Sequence, residues 1–312
     1  MANKRIDEST GIETVGHEWD GIEELNNPLP RWWVWTTYLT IIFSIGYMIV
    51  YPAIPMLKSG TEGLWGWSSR GQLATEMAEG AAKRKAATDA IAATPLEALI
   101  KDEKLMPLAV AGGAAAFKQN CVQCHGSGAA GGEGYPNLKD DDWLWGGTIT
   151  DIHTTLEHGI RAADYPQTRT SLMPSFGKDG ILTPAQVSDT AAYVLSLSGK
   201  HPNDAAAQRG AANFAANCVA CHGPDGKGLR QFGAPNLTDA VWLYGGTPEK
   251  VTASIHKAHA GVMPGWSKKL DGVTIKMLAA YVYSLGGGEE SVAAPATPAP
   301  ATPASGTGNA KP

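Results

Sequence analysis

Apolar and polar positions change pattern abruptly along this chain, and the sharpest break falls near its start. Residues 1–31 are mostly polar and rich in acidic groups. Residues 32–51 follow as Trp-Trp-Val-Trp-Thr-Thr-Tyr-Leu-Thr-Ile-Ile-Phe-Ser-Ile-Gly-Tyr-Met-Ile-Val-Tyr, with no charge. As a helix this run extends about 30 Å, the thickness of a bilayer core. Trp32, Trp33 and Trp35 stand at one end and Tyr47 and Tyr51 at the other, like the aromatic belts of a spanning segment. A transmembrane helix is therefore predicted. A cleaved signal would instead open with a short basic stretch and close on small residues. Thr36, Thr40 and Ser44 share one face, which suits either a neighbouring membrane helix or lipid.

Beyond the anchor, residues 52–106 form a linker whose Ala/Lys/Glu-rich part carries patchy helical periodicity from Met77 through Ile91 to Leu99. One or two linker helices are predicted, interrupted near Pro95. From Glu289 to Pro312 the chain is rich in Pro, Ala and Thr and is predicted to be disordered. The region between is predicted to be all-α, with short amphipathic runs separated by glycine-rich loops. Thr183-Pro184-Ala185-Gln186 is a strong helix start, with a capping threonine, a first-turn proline and a glutamine three positions on. Thr247-Pro248 resembles it.

This region repeats itself. Gly113 and Phe117 precede Cys121 as Gly210 and Phe214 precede Cys218. Pro136-Asn137-Leu138 matches Pro235-Asn236-Leu237, and Trp143-Leu144-Trp145-Gly146-Gly147 matches Trp242-Leu243-Tyr244-Gly245-Gly246. Met173-Pro174 matches Met263-Pro264, and Ala192-Tyr193-Val194 matches Ala280-Tyr281-Val282. Two tandem domains are predicted, residues 107–200 and 201–288. The first copy carries extra residues between Trp143 and Met173.

All four cysteines fall in two Cys-x-x-Cys-His runs, Cys121–His125 and Cys218–His222. That spacing is the one used for c-type haem attachment. Two thiols three positions apart can each form a thioether to the porphyrin edge, and the histidine that follows lies over the iron. A thioredoxin-like pair would follow a strand in a βαβ pattern, which neither copy does. Two covalently bound haem c groups are thus expected, held by Cys121, Cys124, Cys218 and Cys221, with His125 and His222 as proximal ligands. Met173 and Met263, each before a proline that stiffens its loop, are the expected distal ligands, since methionine sulfur favours ferrous iron. Whether each serves the haem of its own repeat is open. A core methionine is the competing reading for each, and His153, His158, His256 and His259 are alternative ligands. Met106-Pro107 precedes its haem motif and is set aside. Pro136 and Pro235 are placed to orient the proximal histidines through their carbonyls.

The net charge of -5 argues against nucleic-acid binding. It is unevenly shared: residues 107–200 hold 6 basic and 9 acidic residues, and residues 201–288 hold 8 and 5. That polarity suits orientation of a redox partner, or is simply a solvated surface. With two six-coordinate haems expected, no open iron or separate catalytic group stands out.

The helical repeat resembles the class I cytochrome c fold, in which a glycine and an aromatic on the first helix cross an aromatic on the last. The resemblance places Gly113 and Phe117 against Tyr193, and Gly210 and Phe214 against Tyr281. The run His17-Glu18-Trp19-Asp20-Gly21-Ile22-Glu23-Glu24-Leu25-Asn26-Asn27-Pro28-Leu29-Pro30-Arg31-Trp32-Trp33 resembles the start of the dihaem subunit, FixP/CcoP type, of cbb3-type cytochrome c oxidases. Order and content match over nearly the whole chain. The resemblance implies a subunit without a catalytic site of its own, in a proton-translocating oxidoreductase complex. Its partners would be a donor cytochrome, a monohaem cytochrome c subunit and a haem-copper subunit that reduces oxygen. It also implies a bacterial inner-membrane location with a cytoplasmic N-terminus and periplasmic haem domains, a point that flanking charges leave unsettled. A free-standing membrane-tethered shuttle cytochrome and a dihaem peroxidase are the alternatives.

Overall fold

The structure, a computed structural model, describes residues 4–291. The chain divides into two compact units, Met1–Lys83 and Arg84–Pro312.

In the first unit, strands β1 (Thr14–Trp19) and β2 (Ile22–Leu25) form an antiparallel hairpin with Trp19 opposite Ile22. Asp20 and Gly21 make its two-residue turn, with φ of 51° and 85°. Asp-Gly is favoured where both turn residues need positive φ, so this departure from the expected all-α class had a local signal. Helix α1 (Arg31–Val50) matches the expected span within one residue at each end and buries none of its side chains. It is long and apolar enough to cross a membrane. The hydroxyls of Thr36, Thr40 and Ser44 each donate to a carbonyl of the preceding turn, at 2.8–2.9 Å. None of these three polar groups would therefore enter lipid unpaired. Tyr51 leaves the helix in an extended conformation and stacks on Tyr47, with Trp65 and Trp67 packed edge-on against it.

Helix α2 (Ser69–Ala93) runs through the division between the units, and Pro95 separates it from the single turn α3 (Leu96–Leu99). The second unit continues with α4 (Leu105–Asn120), the turn α5 (Val122–His125), α6 (Ile149–His158) and α7 (Pro184–Leu197). It closes with α8 (Ala205–Asn217), the turn α9 (Val219–His222), α10 (Pro248–His256) and α11 (Gly272–Tyr283). Thr183 and Gln186 form the expected capping box on α7. Thr148, Asp204, Thr247 and Asp271 cap α6, α8, α10 and α11, each accepting a backbone N–H of the first turn.

The helices pair across the repeats, which corrects the expected crossings. Helix α4 packs on α11, and Phe117 meets Tyr281 at 5.2 Å between ring centroids; α8 packs on α7, and Phe214 meets Tyr193 at the same distance. Gly113 and Gly210 make both approaches possible. A Cβ on Gly113 would lie 2.1 Å from the carbonyl oxygen of Met277, and one on Gly210 would lie 2.0 Å from that of Asp189. Two apolar cores result. One gathers Phe117, Ile149, Ile152 and Leu156 with Ile275, Leu278 and Val282. The other gathers Phe176, Val187, Val194 and Leu195 with Phe214, Val251 and Ile255. Each core thus joins the haem-motif half of one repeat to the methionine half of the other.

Loop length supplies the reason. Only residues 198–204 separate α7 from α8, and a short loop closes at less entropic cost than a long one. Arg209 clamps this helical hairpin with two bonds to Asp189, at 2.7 and 2.8 Å. The extra residues of the first repeat provide the reach to cross over. Thirty positions separate Trp143 from Met173, against twenty-one between Trp242 and Met263.

Glu289, expected in the disordered tail, is held in place. Its N–H donates to the Gly147 carbonyl, and its carboxylate accepts from Gly147 N–H and pairs with Arg230. Residues 292–312 of the expected tail lie outside the described residues.

Candidate haem sites

Both haem motifs are built identically. Helix α4 ends at Cys121, whose N–H bonds to the Phe117 carbonyl at 2.9 Å; α8 ends at Cys218, bonded likewise to Phe214 at 2.8 Å. One further turn ends at His125 and His222, each N–H bonding to the first cysteine's carbonyl at 2.9 Å. The imidazole Nδ1 of His125 lies 3.2 Å from the Pro136 carbonyl, and that of His222 lies 3.2 Å from the Pro235 carbonyl. A carbonyl accepts only, so Nδ1 carries the proton and Nε2 keeps its lone pair for a metal. Burial pulls both histidines below the usual imidazole range, which favours that neutral form. Burial also pushes the Cys121 and Cys218 thiols up to about 11, so both are neutral apolar groups at pH 7.

The two methionines expected as distal ligands each pack beside the haem motif of the other repeat. Met173 and Pro174 line a cavity of about 560 Å³ together with Phe214, Cys218, Cys221 and His222. Met263, with Trp266, packs against the core that contains Phe117 and Cys121. The Met263 loop is pinned to the end of α6. Met263 and Ile160 exchange two backbone bonds, and Trp266 N–H donates to the Leu156 carbonyl at 2.9 Å. The Met173 loop is held correspondingly at the end of α10, where Lys178 N–H donates to the His256 carbonyl at 2.8 Å.

The donor set and the walls suit a haem. Besides the two thiols, imidazole and thioether, the cavity at His222 is walled by aromatic and aliphatic side chains. Trp242 lines it, and its indole Nε1 is buried without a hydrogen-bond partner. An unpaired buried donor is costly, and a haem propionate is an acceptor of the right kind. Its counterpart Trp143 donates instead to the Gly287 carbonyl.

Comparison with known proteins gives matches along most of the chain. Residues 11–58, which contain the hairpin and α1, match the N-terminal domain of cytochrome oxidase-cbb3, FixP. Residues 110–198 match the cytochrome c family, and residues 205–282 match cytochrome C oxidase, cbb3-type, subunit III. The chain is 50% identical over 287 residues to the cbb3-type cytochrome c oxidase subunit FixP of Rhizobium meliloti, covering 92% of this chain and 99% of that protein. It is equally similar, over the same shares, to the FixP subunit of Sinorhizobium medicae. It is 51% identical over 276 residues to the subunit CcoP of Cereibacter sphaeroides, covering 88% and 95%. The chain belongs to the FixP/CcoP family.

Other residues of this FixP/CcoP chain fall into place around the sites. His153 and His158 lie on α6, where both approach Glu157. His256 ends α10, but His259 lies beyond it, stacked on Tyr244 with ring centroids 3.8 Å apart. Met106 packs with Ile91 and Leu99, as its set-aside position suggested. Two arginines of the inserted segment had no motif to mark them. Arg161 lines the cavity at His222, and Arg169 lies over the Trp145 ring at 5.2 Å with a buried, unpaired Nε. The insertion itself was the only signal.

Asp142 also lines the cavity at His222, and its carboxyl is pushed up to about 6, first by burial and then by Asp239, Asp140 and Asp141. A raised carboxyl pKa means that folding disfavours the ionised form. Its contribution is most favourable at low pH, falls as pH rises from about 4 to 6, and is lost above. Asp142→Asn is therefore expected to raise the thermal midpoint at pH 8, with the difference vanishing at pH 4. A midpoint difference that is independent of pH would contradict this.

Proposed function

We propose that this chain is the dihaem electron-transfer subunit of a cbb3-type oxidase, accepting electrons from a donor cytochrome and delivering them, by way of a monohaem subunit, to a haem-copper subunit that reduces oxygen. The observation that carries this reading is the pair of matched sites, each offering two thiols, an oriented imidazole and a methionine loop behind a membrane helix.

Cys121 and Cys124 anchor one haem c, and Cys218 and Cys221 the other. When bound, each haem supplies an iron that alternates between ferric and ferrous states. His125 and Met263 would hold the first, and His222 and Met173 the second. The carbonyls of Pro136 and Pro235 hold each imidazole in one tautomer and orientation. The apolar walls exclude water, and the methionine sulfurs favour the ferrous state. An imidazole and a thioether would both be available to each haem, which favours electron transfer over catalysis at an open iron. Helix α1 anchors it in the bacterial inner membrane with the N-terminus cytoplasmic and the haem sites periplasmic.

The test is a mild-detergent purification of the tagged chain from its native membrane, followed by a reduced-minus-oxidised spectrum and oxygen uptake with an artificial donor. Co-purifying b-type haem and oxygen uptake are expected. A c-type spectrum alone, without oxygen uptake, overturns the oxidase reading in favour of a shuttle cytochrome.

A further inference from the structure

One side chain touches both methionine loops. Arg161 lies just past α6, in the segment that the second repeat lacks, and adopts a left-handed backbone with φ of 53°. Its Nε donates to the Gly261 carbonyl at 2.7 Å, and its terminal NH donates to the Ser171 carbonyl at 2.9 Å. Gly261 stands two residues before Met263, and Ser171 stands two residues before Met173. The backbone on either side is fixed as well. Ile160 exchanges two bonds with Met263, and Arg161 N–H donates to the Arg169 carbonyl at 2.7 Å.

Left-handed backbone is unfavourable for a residue with a side chain and persists where surrounding contacts over-determine it. Here two charge-assisted bonds from one planar group supply that constraint. A guanidinium presents donors in a rigid fork, whereas an ammonium is a point donor on a flexible stem. The fork can therefore set the distance between two carbonyls from different loops.

We propose that Arg161 is a positioning residue for both distal methionines at once, its guanidinium fixing the reach of the Met173 and Met263 loops through the Ser171 and Gly261 carbonyls. The two sites are then mechanically joined at their distal sides, and loosening this one residue weakens methionine ligation at both irons. The inference rests on the crossed ligation proposed above.

The test uses the full chain in two single-haem backgrounds, Cys121→Ala/Cys124→Ala and Cys218→Ala/Cys221→Ala, each with and without Arg161→Lys. Lysine keeps the charge and most of the stem but cannot fork. The readouts are the far-red absorption band of methionine-ligated ferric haem, the midpoint potential of the remaining haem, and far-ultraviolet circular dichroism as a check on folding. With Arg161→Lys, the band is expected to lose at least half its intensity, and the potential to fall, in both backgrounds. Loss at one haem alone, or at neither, overturns the proposal. If the lysine chain does not fold, Arg161→Gln is read in its place by the same criteria. Absence of the band before Arg161 is changed would instead overturn methionine ligation itself, so the two failures are distinguishable.

Discussion

Replacing Met263 with histidine, in a chain whose second haem has been removed by Cys218→Ala and Cys221→Ala, is expected to lower the potential of the haem at His125 by on the order of 0.1–0.2 V, a fraction of the roughly 0.8 V that axial ligands span. Met173→His in the same chain should leave that potential where it was. The reciprocal background, lacking Cys121 and Cys124, should reverse the pattern. The expectation rests on packing: Met263 lies against the core holding Phe117 and Cys121, and Met173 lines the cavity with His222. If each methionine acted within its own repeat, the two responses would exchange, and redox titration of the four chains would show it directly.

Cutting the chain gives a second large effect. A fragment of residues 107–200, which looks like one whole cytochrome domain in sequence, is expected to lack a methionine-ligated haem. It contains Met173 and α7 but neither Met263 nor α11, so Phe117 and Leu156 would lose the partners that bury them. Truncating packed residues of this size costs about 2–5 kcal/mol each, and here half a core is removed. A fragment of residues 159–262 contains α7 to α10, Phe176, Met173 and both partners of Arg161. It is expected to bind one haem and show the far-red band. Recovery of that band from residues 107–200 would refute the crossed arrangement.

Much of the site was legible in the sequence because its chemistry is local. The thiols and histidine of each motif lie within five positions, and the prolines whose carbonyls meet the imidazoles follow eleven and thirteen residues after the histidines. The apolar span and the Thr183 box are likewise short-range signals, and α1 and α7 formed where they indicated. The crossing was not legible, because the repeats are alike. Tyr193 and Tyr281 present the same surface to Phe117 or Phe214, so the helix-crossing motif is satisfied equally by either pairing. What separates the two is the geometry of connection: a short loop after α7, and extra chain before Met173. The insertion was visible, but its consequence was not, because Arg161 acts through backbone carbonyls that leave no residue-type signature. Glu289 was assigned to the tail by composition, whereas its ion pair with Arg230 depends on a partner fifty-nine residues away.

A ribosome delivers this chain N-terminus first, and the nested helices give that direction a meaning. The helices that build the core beside His222, α7 to α10, are contiguous in the chain and complete once α10 has emerged. The core beside His125 waits for α11, more than a hundred and forty residues after its own cysteines. Domains fold as units during synthesis, so the motif made first is closed last. Until then the proposed haem attachment at Cys121 and Cys124 would meet an open, unpacked segment, so the earlier site would stay accessible longest.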